Sequence, residues 1–217
     1  MPPSRACCAH DHDCEAADCG VAYSLYKHVS IDQVRCLNEA TPGSARAVLR
    51  PWHTRAQALA APLRSHGVDG DDDEQPELLL HIPFDGAVKL KAISVVNTGE
   101  PGAGPATLAA YTNREGLDFA TAAALPPVQT WELQPDGTGL LEYPTQVSRF
   151  NGVHCLDLLL RGSVDAGAGR CEVTFIGLKG EFVERKRQAV EAVYEARPVP
   201  GDQQKIPGIG DGAHWHT

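Results

Sequence analysis

Residues 71–96 read DDDEQPELLLHIPFDGAVKLKAISVV, and this stretch decides the fold class. Asp71, Asp72, Asp73 and Glu74 form an unbroken acidic run ahead of an apolar one. Side chains on an extended chain alternate between two faces. Leu78, Leu80, Ile82 and Phe84 therefore share one face, and Leu79 and His81 share the other. Asp85-Gly86 reads as a reversal, because glycine takes positive φ freely and aspartate bonds the turn backbone. Val88 and Leu90 then alternate with Lys89 and Lys91. The pattern predicts a β-hairpin with one buried face and one partly wet face. The acids, Lys89 and Lys91 are left free for function, while the Leu/Ile/Phe face is committed to a core.

Working outward, further strands are expected over residues 106–113, 130–133, 139–143, 147–162 and 171–178. In the first of these Leu108 and Ala110 share a face and Tyr111 takes the other. The run VHCLDLLL is apolar on both faces, with Leu156, Leu158 and Leu160 on one and Val153, Cys155 and Leu159 on the other. Asp136-Gly137 marks a turn. On the N-terminal side, residues 21–26 read as an extended entry. Ser30 and Gln33 have capping-box spacing ahead of Ile31, Val34 and Leu37, which predicts one short N-terminal helix. Residues 41–70 are irregular, with a helical turn or two over 56–63. Residues 117–124 and 184–194 leave helix and strand both open. Short strands, turn signals between them and little helix define an all-β sandwich or barrel.

The totals narrow the function classes. The chain has 217 residues, enough for one large domain, and a formal charge of -9. A negative field of that size repels phosphate, which argues against nucleic acid and anionic membrane as partners. There is no stretch of 18 apolar residues and no apolar leader near the N-terminus. Cytoplasmic and nuclear localisation is expected, with the seven cysteines reduced. Cys36, Cys155 and Cys171 sit in patterned segments and read as small core hydrophobes.

Five segments occur together in order: CLNE at 36–39, DDDE leading into LLLHIPFDGAVKLKAISV, LAAYTNREGLDF, SRFNGVHCLDL, and FIGLKGE at 175–181. Together they resemble the PITH domain, a proteasome-interacting thioredoxin-like module. The resemblance covers residues 21–196, between a His/Cys-bearing tail at 1–20 and a flexible tail at 197–217. It implies a jelly-roll β-sandwich similar to galactose-binding domains. No WCGPC precedes the domain, so the chain resembles the stand-alone form of the family. Gln75-Pro76 stands between the acids and the strand, where the family pattern enters directly. For thioredoxin-linked members the resemblance implies binding to the 26S proteasome.

The candidate sites follow from residue chemistry. His10, His12, Cys14 and Cys19 are metal-capable, but their spacing matches no closed zinc module. A mobile tail of this kind holds zinc weakly at most, and the alternative is a polar tail with reduced thiols. Cys14 and Cys19 are not a Cys-x-x-Cys pair, and nothing supplies a helix start to activate them. His214, Trp215 and His216 form a short peptide ligand, with an indole anchor and two imidazoles able to enter a partner's metal site. Asp71, Asp72, Asp73 and Glu74 are a partner-facing acidic run or a solvated loop, and lack the spacing of an EF-hand. His81 reads as a satisfied core or rim histidine. There is no G-x-S-x-G, H-E-x-x-H or phosphate loop.

The expectation is thus a non-catalytic protein-interaction module without a cofactor, its leading partner the proteasome regulatory particle. The alternatives are a redox- or metal-responsive regulator using the tail Cys and His residues, and a lectin-like sugar or calcium binder.

Overall fold

The structure, a computed structural model, describes residues 23–68 and 75–183. The chain divides into Met1–Arg185 and Lys186–Thr217, and the described residues all lie in the first unit. Among them no helix is long and apolar enough to cross a membrane.

Among the described residues there are nine strands: β1 (Arg35–Leu37), β2 (Leu63–Arg64), β3 (Glu77–Val96), β4 (Thr107–Thr112), β5 (Gln129–Glu132), β6 (Tyr143–Pro144), β7 (Val153–Arg161), β8 (Glu172–Val173) and β9 (Phe175–Val183). The pairing β1-β3-β7-β4-β5 builds one layer, entirely antiparallel. β9 and β6 flank the second half of β3 and build the other. β2 and β8 form a separate pair. The result is an all-β jelly-roll sandwich, with one core between its layers. Leu80, Ile82, Leu108 and Leu158 enter that core from the first layer, and Leu90, Ile93, Ile176 and Leu178 from the second.

The predicted hairpin is replaced by a single strand of 20 residues. The chain does not reverse at Asp85-Gly86. Residues 77–83 pair with β7, 87–96 pair with β9, and the register to β7 breaks between Pro83 and Val88. This is the corner where one strand leaves one layer and enters the other. Gly86 is required there by close approach, not by φ: the Phe182 ring lies 2.8 Å from where its Cβ would be. Residues 29–30 satisfy the corner backbone, through a Val29–Phe84 bridge and a 2.9 Å bond from Ser30 N to Pro83 O. His28 stacks on Phe182 with ring centroids 3.9 Å apart.

The alternation of the first half holds, with Leu78, Leu80, Ile82 and Phe84 in the core. In the second half it changes parity. Val88 and Leu90 are buried, and so are Ile93 and Val95. A bulge between Leu90 and Ala92 inserts the extra residue that turns the odd positions inward. Lys91 O at the bulge accepts from Thr145 N at 2.9 Å, and Leu90 O from Thr145 Oγ1 at 2.7 Å. Lys89 and Lys91 are not free: both face Glu181, Lys91 Nζ at 2.5 Å.

Other expectations change for local reasons. Ser30 makes no side-chain cap, and only a 3-10 turn forms at Ile31–Gln33 before β1 begins. Leu25–His28 is also a 3-10 turn, capped by Ser24, rather than extended entry. Within 41–70 the helix is Ser44–Val48, earlier than expected. Glu39 of CLNE accepts from Gly43 N at 2.7 Å and Ala45 N at 3.1 Å, holding its start. Phe119–Ala124 is helical, capped by Asp118 on Thr121 N at 2.7 Å. The strand expected over 139–143 shortens to Tyr143–Pro144. Val153 lies in the main core with Leu156, since β7 meets the corner of β3 there. Residues 184–194 lie outside the described residues.

FIGLKGE needs its second glycine for the same reason that the corner needs Gly86. A Cβ on Gly180 would lie 2.2 Å from Lys89 O and 3.1 Å from Leu90 Cα, both backbone atoms unable to yield. Gly180→Ala is expected to destabilise the domain by about 1–3 kcal/mol, lowering the urea midpoint; an unchanged midpoint would show that β9 can shift.

Candidate functional site

The sheet register assembles a polar row on the outer face of the first layer. Arg35 stands opposite His81, His81 opposite Asp157, and Asp157 opposite Tyr111. Their strand neighbours Cys36, Leu80, Leu158 and Ala110 point to the core, so this row points away from it. Cys155 is two residues before Asp157 on β7 and joins the same face. The donor atoms of His81, Cys155 and Asp157 all lie within 4.8 Å of one another.

The row is partly enclosed. Leu79, Tyr111, Ala122 and Leu159 form a small second cluster, with Leu117, Phe119 and Leu125 packed on it. Tyr111 Oη donates to Ala122 O at 2.8 Å and ties the Phe119–Ala124 helix to the sheet. Beside this cluster the Asp157 side chain is 2% exposed and that of His81 17%. His81 Nδ1 and Asp157 Oδ1 are 2.6 Å apart. Asp157 Oδ2 is buried without a hydrogen-bond partner. Burial pushes the Asp157 carboxyl above the ordinary range, against the hydrogen bond and charge of His81 and the charge of Arg35.

Burial disfavours the thiolate at the three described cysteines. Burial, then Asp157, raises Cys155, whose Sγ donates to Arg114 O at 3.4 Å. Burial pushes Cys36 and Cys171 up to about 12, with Glu39 adding to the first and Glu172 to the second. None of the three has the lowered pKa of a nucleophilic cysteine. What the His81–Cys155–Asp157 group offers is a mixed N, S and O donor set on rigid strands.

A second feature is a cleft of about 200 Å³ between loops, lined by Asn97, Glu100, Pro101, Gln134, Asp136 and Val164 among others. Its carboxylates build the loops. Asp136 accepts from Thr138 N at 2.7 Å, Gly139 N at 3.0 Å and Leu141 N at 3.0 Å. Burial raises its pKa, but these bonds outweigh it and hold the carboxyl below its ordinary value. Glu100 pairs with Arg170, and its own N–H is held at 2.9 Å by the fully buried Glu172.

Of the sequence candidates, His81 is where the reading put it, a rim histidine with a partner. His10, His12, Cys14, Cys19, Asp71, Asp72, Asp73, Glu74, His214, Trp215 and His216 lie outside the described residues. Cys155 and Asp157 were missed as a site. Their i, i+2 spacing on a strand was visible, but the third member comes from β3, 76 residues from Asp157.

An antiparallel jelly-roll sandwich with its polar groups carried on loops and one outer sheet face is the class of protein that this architecture defines. Comparison with known proteins is more specific. The PITH domain family model matches residues 15–198. PITH domain-containing protein 1 of Homo sapiens is 37% identical over 198 residues, covering 91% of this chain and 88% of that protein. The protein of the same name in Dictyostelium discoideum is 32% identical over 196 residues, covering 90% of each. The chain belongs to the PITH domain family. Among solved structures it is similar to a CBM32 domain from a family 31 glycoside hydrolase of Clostridium perfringens. That match has 12% identity and a TM-score of 0.48, and covers 75% of this chain and 98% of that domain.

The carboxyls of Asp136 and Asp157 are shifted in opposite directions. Asp136 has a lowered folded pKa, so its contribution is present above the unfolded value of about 3.9 and is lost as pH falls through the folded one. Asp136→Ala is expected to cost about 1–3 kcal/mol at neutral pH, a deficit that closes in acid. Asp157 has a raised folded pKa, so its contribution is fullest below the unfolded value and is lost as pH rises through the folded one. The stability of wild type relative to Asp157→Asn should therefore fall as pH rises from 3 to 7. Denaturation curves across that range decide both, and a pH-independent difference for either variant contradicts its assignment.

Proposed function

We propose that this chain is a non-catalytic protein-interaction module, with the proteasome regulatory particle as its leading partner. The observation that carries this reading is the surface around the loop cleft. Leu140, 71% exposed, sits in the loop that follows the Asp136 turn, and the exposed Val164 lines the cleft itself. The exposed Pro101 and Pro135 line it too, giving rigid apolar surface on loops fixed by Asp136 and Glu172. Apolar centres with polar surrounds are the anatomy of protein interfaces, and loops on a rigid scaffold are the usual place for them. The raised thiols of Cys36, Cys155 and Cys171 support the non-catalytic part of the reading. The proteasome enters through family resemblance, and the indole and two imidazoles of His214, Trp215 and His216 are the side chains suited to such a partner.

Affinity purification with quantitative mass spectrometry tests this directly. Three baits are compared: the full chain, a Leu140→Asp/Val164→Asp double variant, and a chain ending at residue 211. Proteasome subunits are expected with the full chain and depleted at least about tenfold, or about 1.4 kcal/mol, with one or both variants. A full chain that captures no proteasome subunit refutes the choice of partner. A stable protein partner retained equally by all three baits removes both surfaces from the reading.

A further inference from the structure

We propose that His81, Cys155 and Asp157 form a zinc-binding site on the outer face of the β3-β7 sheet. The donor atoms come from adjacent strands in fixed register: Asp157 is paired directly with His81, and Cys155 is the next residue along β7 on that face. Nitrogen, thiolate sulfur and carboxylate oxygen together suit zinc better than the hard cations, which take oxygen alone. Tetrahedral zinc holds its ligand atoms roughly 3.3–3.8 Å apart, given bonds of about 2.0–2.3 Å. The three donors here span 2.6 Å between His81 Nδ1 and Asp157 Oδ1 up to a limit of 4.8 Å. Metal binding at this site calls for side-chain rotation, because the 2.6 Å His81–Asp157 separation is shorter than a tetrahedral ligand pair requires.

An independent observation points to a ligand. Asp157 Oδ2 is buried without a hydrogen-bond partner, on a side chain only 2% exposed. An orphaned carboxylate oxygen in such a place is costly, and a cation is the group that relieves it most fully. On binding, the Cys155 thiol proton passes to solvent, and the imidazole proton resides on Nε2 so that Nδ1 offers its lone pair. One thiolate and one carboxylate neutralise the dication, and water completes the fourth position. Arg35 and Glu115 are the charged groups near the site, of opposite sign. This donor set shares no residue with the N-terminal His10, His12, Cys14 and Cys19, and it is independent of the proposed protein interface.

The test uses the full-length chain with Cys7, Cys8, Cys14 and Cys19 changed to Ser, and His10 and His12 to Ala. This parent is titrated with zinc by calorimetry and with cobalt by absorption spectroscopy. One equivalent is expected, with a thiolate-to-cobalt charge-transfer band that the C-terminal histidines cannot supply. Cys155→Ser should abolish the band and weaken zinc at least about tenfold, with unfolding of the metal-free protein nearly unchanged. If Cys155→Ser does not fold, His81→Gln is read by the same two measurements, its zinc affinity falling at least as far. A parent without the band, a band that survives Cys155→Ser, or zinc affinity equal in parent and variant overturns the proposal.

Discussion

The structure depends on one strand serving two layers. β3 gives its first seven residues to β7 and its last ten to β9, and among the described residues no other strand pairs in both layers. A strand can do this only if its backbone groups are satisfied where it changes partners. At the corner the 29–30 segment supplies that pairing, and at the Leu90–Ala92 bulge residue 145 does so. Glycines then admit the groups that must come closest: Gly86 admits Phe182, and Gly180 lies against the backbone of Lys89. Segments far apart in sequence are therefore conditions for one another. A side chain at Gly180 would strain the β3–β9 pairing, and β9 supplies Ile176 and Leu178 to the core.

That dependence separates surfaces free to vary from those that are not. The inner face is filled by Leu, Ile and Val side chains with almost no exposure, where loss of one large side chain costs about 2–5 kcal/mol. The Phe119–Ala124 helix lies on the outer face of the first layer, tied to it through Tyr111. Polar chemistry has accordingly been placed beside that helix and in the loops.

Much of the fold was legible in the residues, because burial acts on each strand separately. The alternation of Leu78, Leu80, Ile82 and Phe84 needed no knowledge of the partner strand, nor did the two apolar faces of VHCLDLLL. What could not be read was pairing. Asp85-Gly86 has the composition of a turn, and only Phe182 and β7, far along the chain, show why the strand continues through it. The bulge at Lys91 was hidden likewise, since its cause is the register of β9. The polar cluster failed to appear for the same reason: Cys155 and Asp157 are near neighbours, but His81 reaches them only through the sheet. Glu39 is the instructive middle case. It lies in a recognisable segment, yet its role in holding Ser44–Val48 is visible only once the chain has curled back.

The two buried carboxylates sharpen the contrast between structural and available charge. Glu172 is fully buried, and its oxygens are spoken for: Arg64 Nε donates at 2.5 Å and Glu100 N at 2.9 Å. A carboxylate so paired fixes the loop that walls the cleft, and Gly99 must lack a side chain to let it in. Asp157 is nearly as buried but holds one partner on one oxygen, with a thiol two residues away on the same face. Burying a charge without satisfying it is among the costliest choices a fold makes. Had Asp157 served only to anchor His81, an amide or hydroxyl in its place would make that bond at lower desolvation cost. A carboxylate is the side chain whose second oxygen has use for a cation, and that is the respect in which Asp157 differs from Glu172.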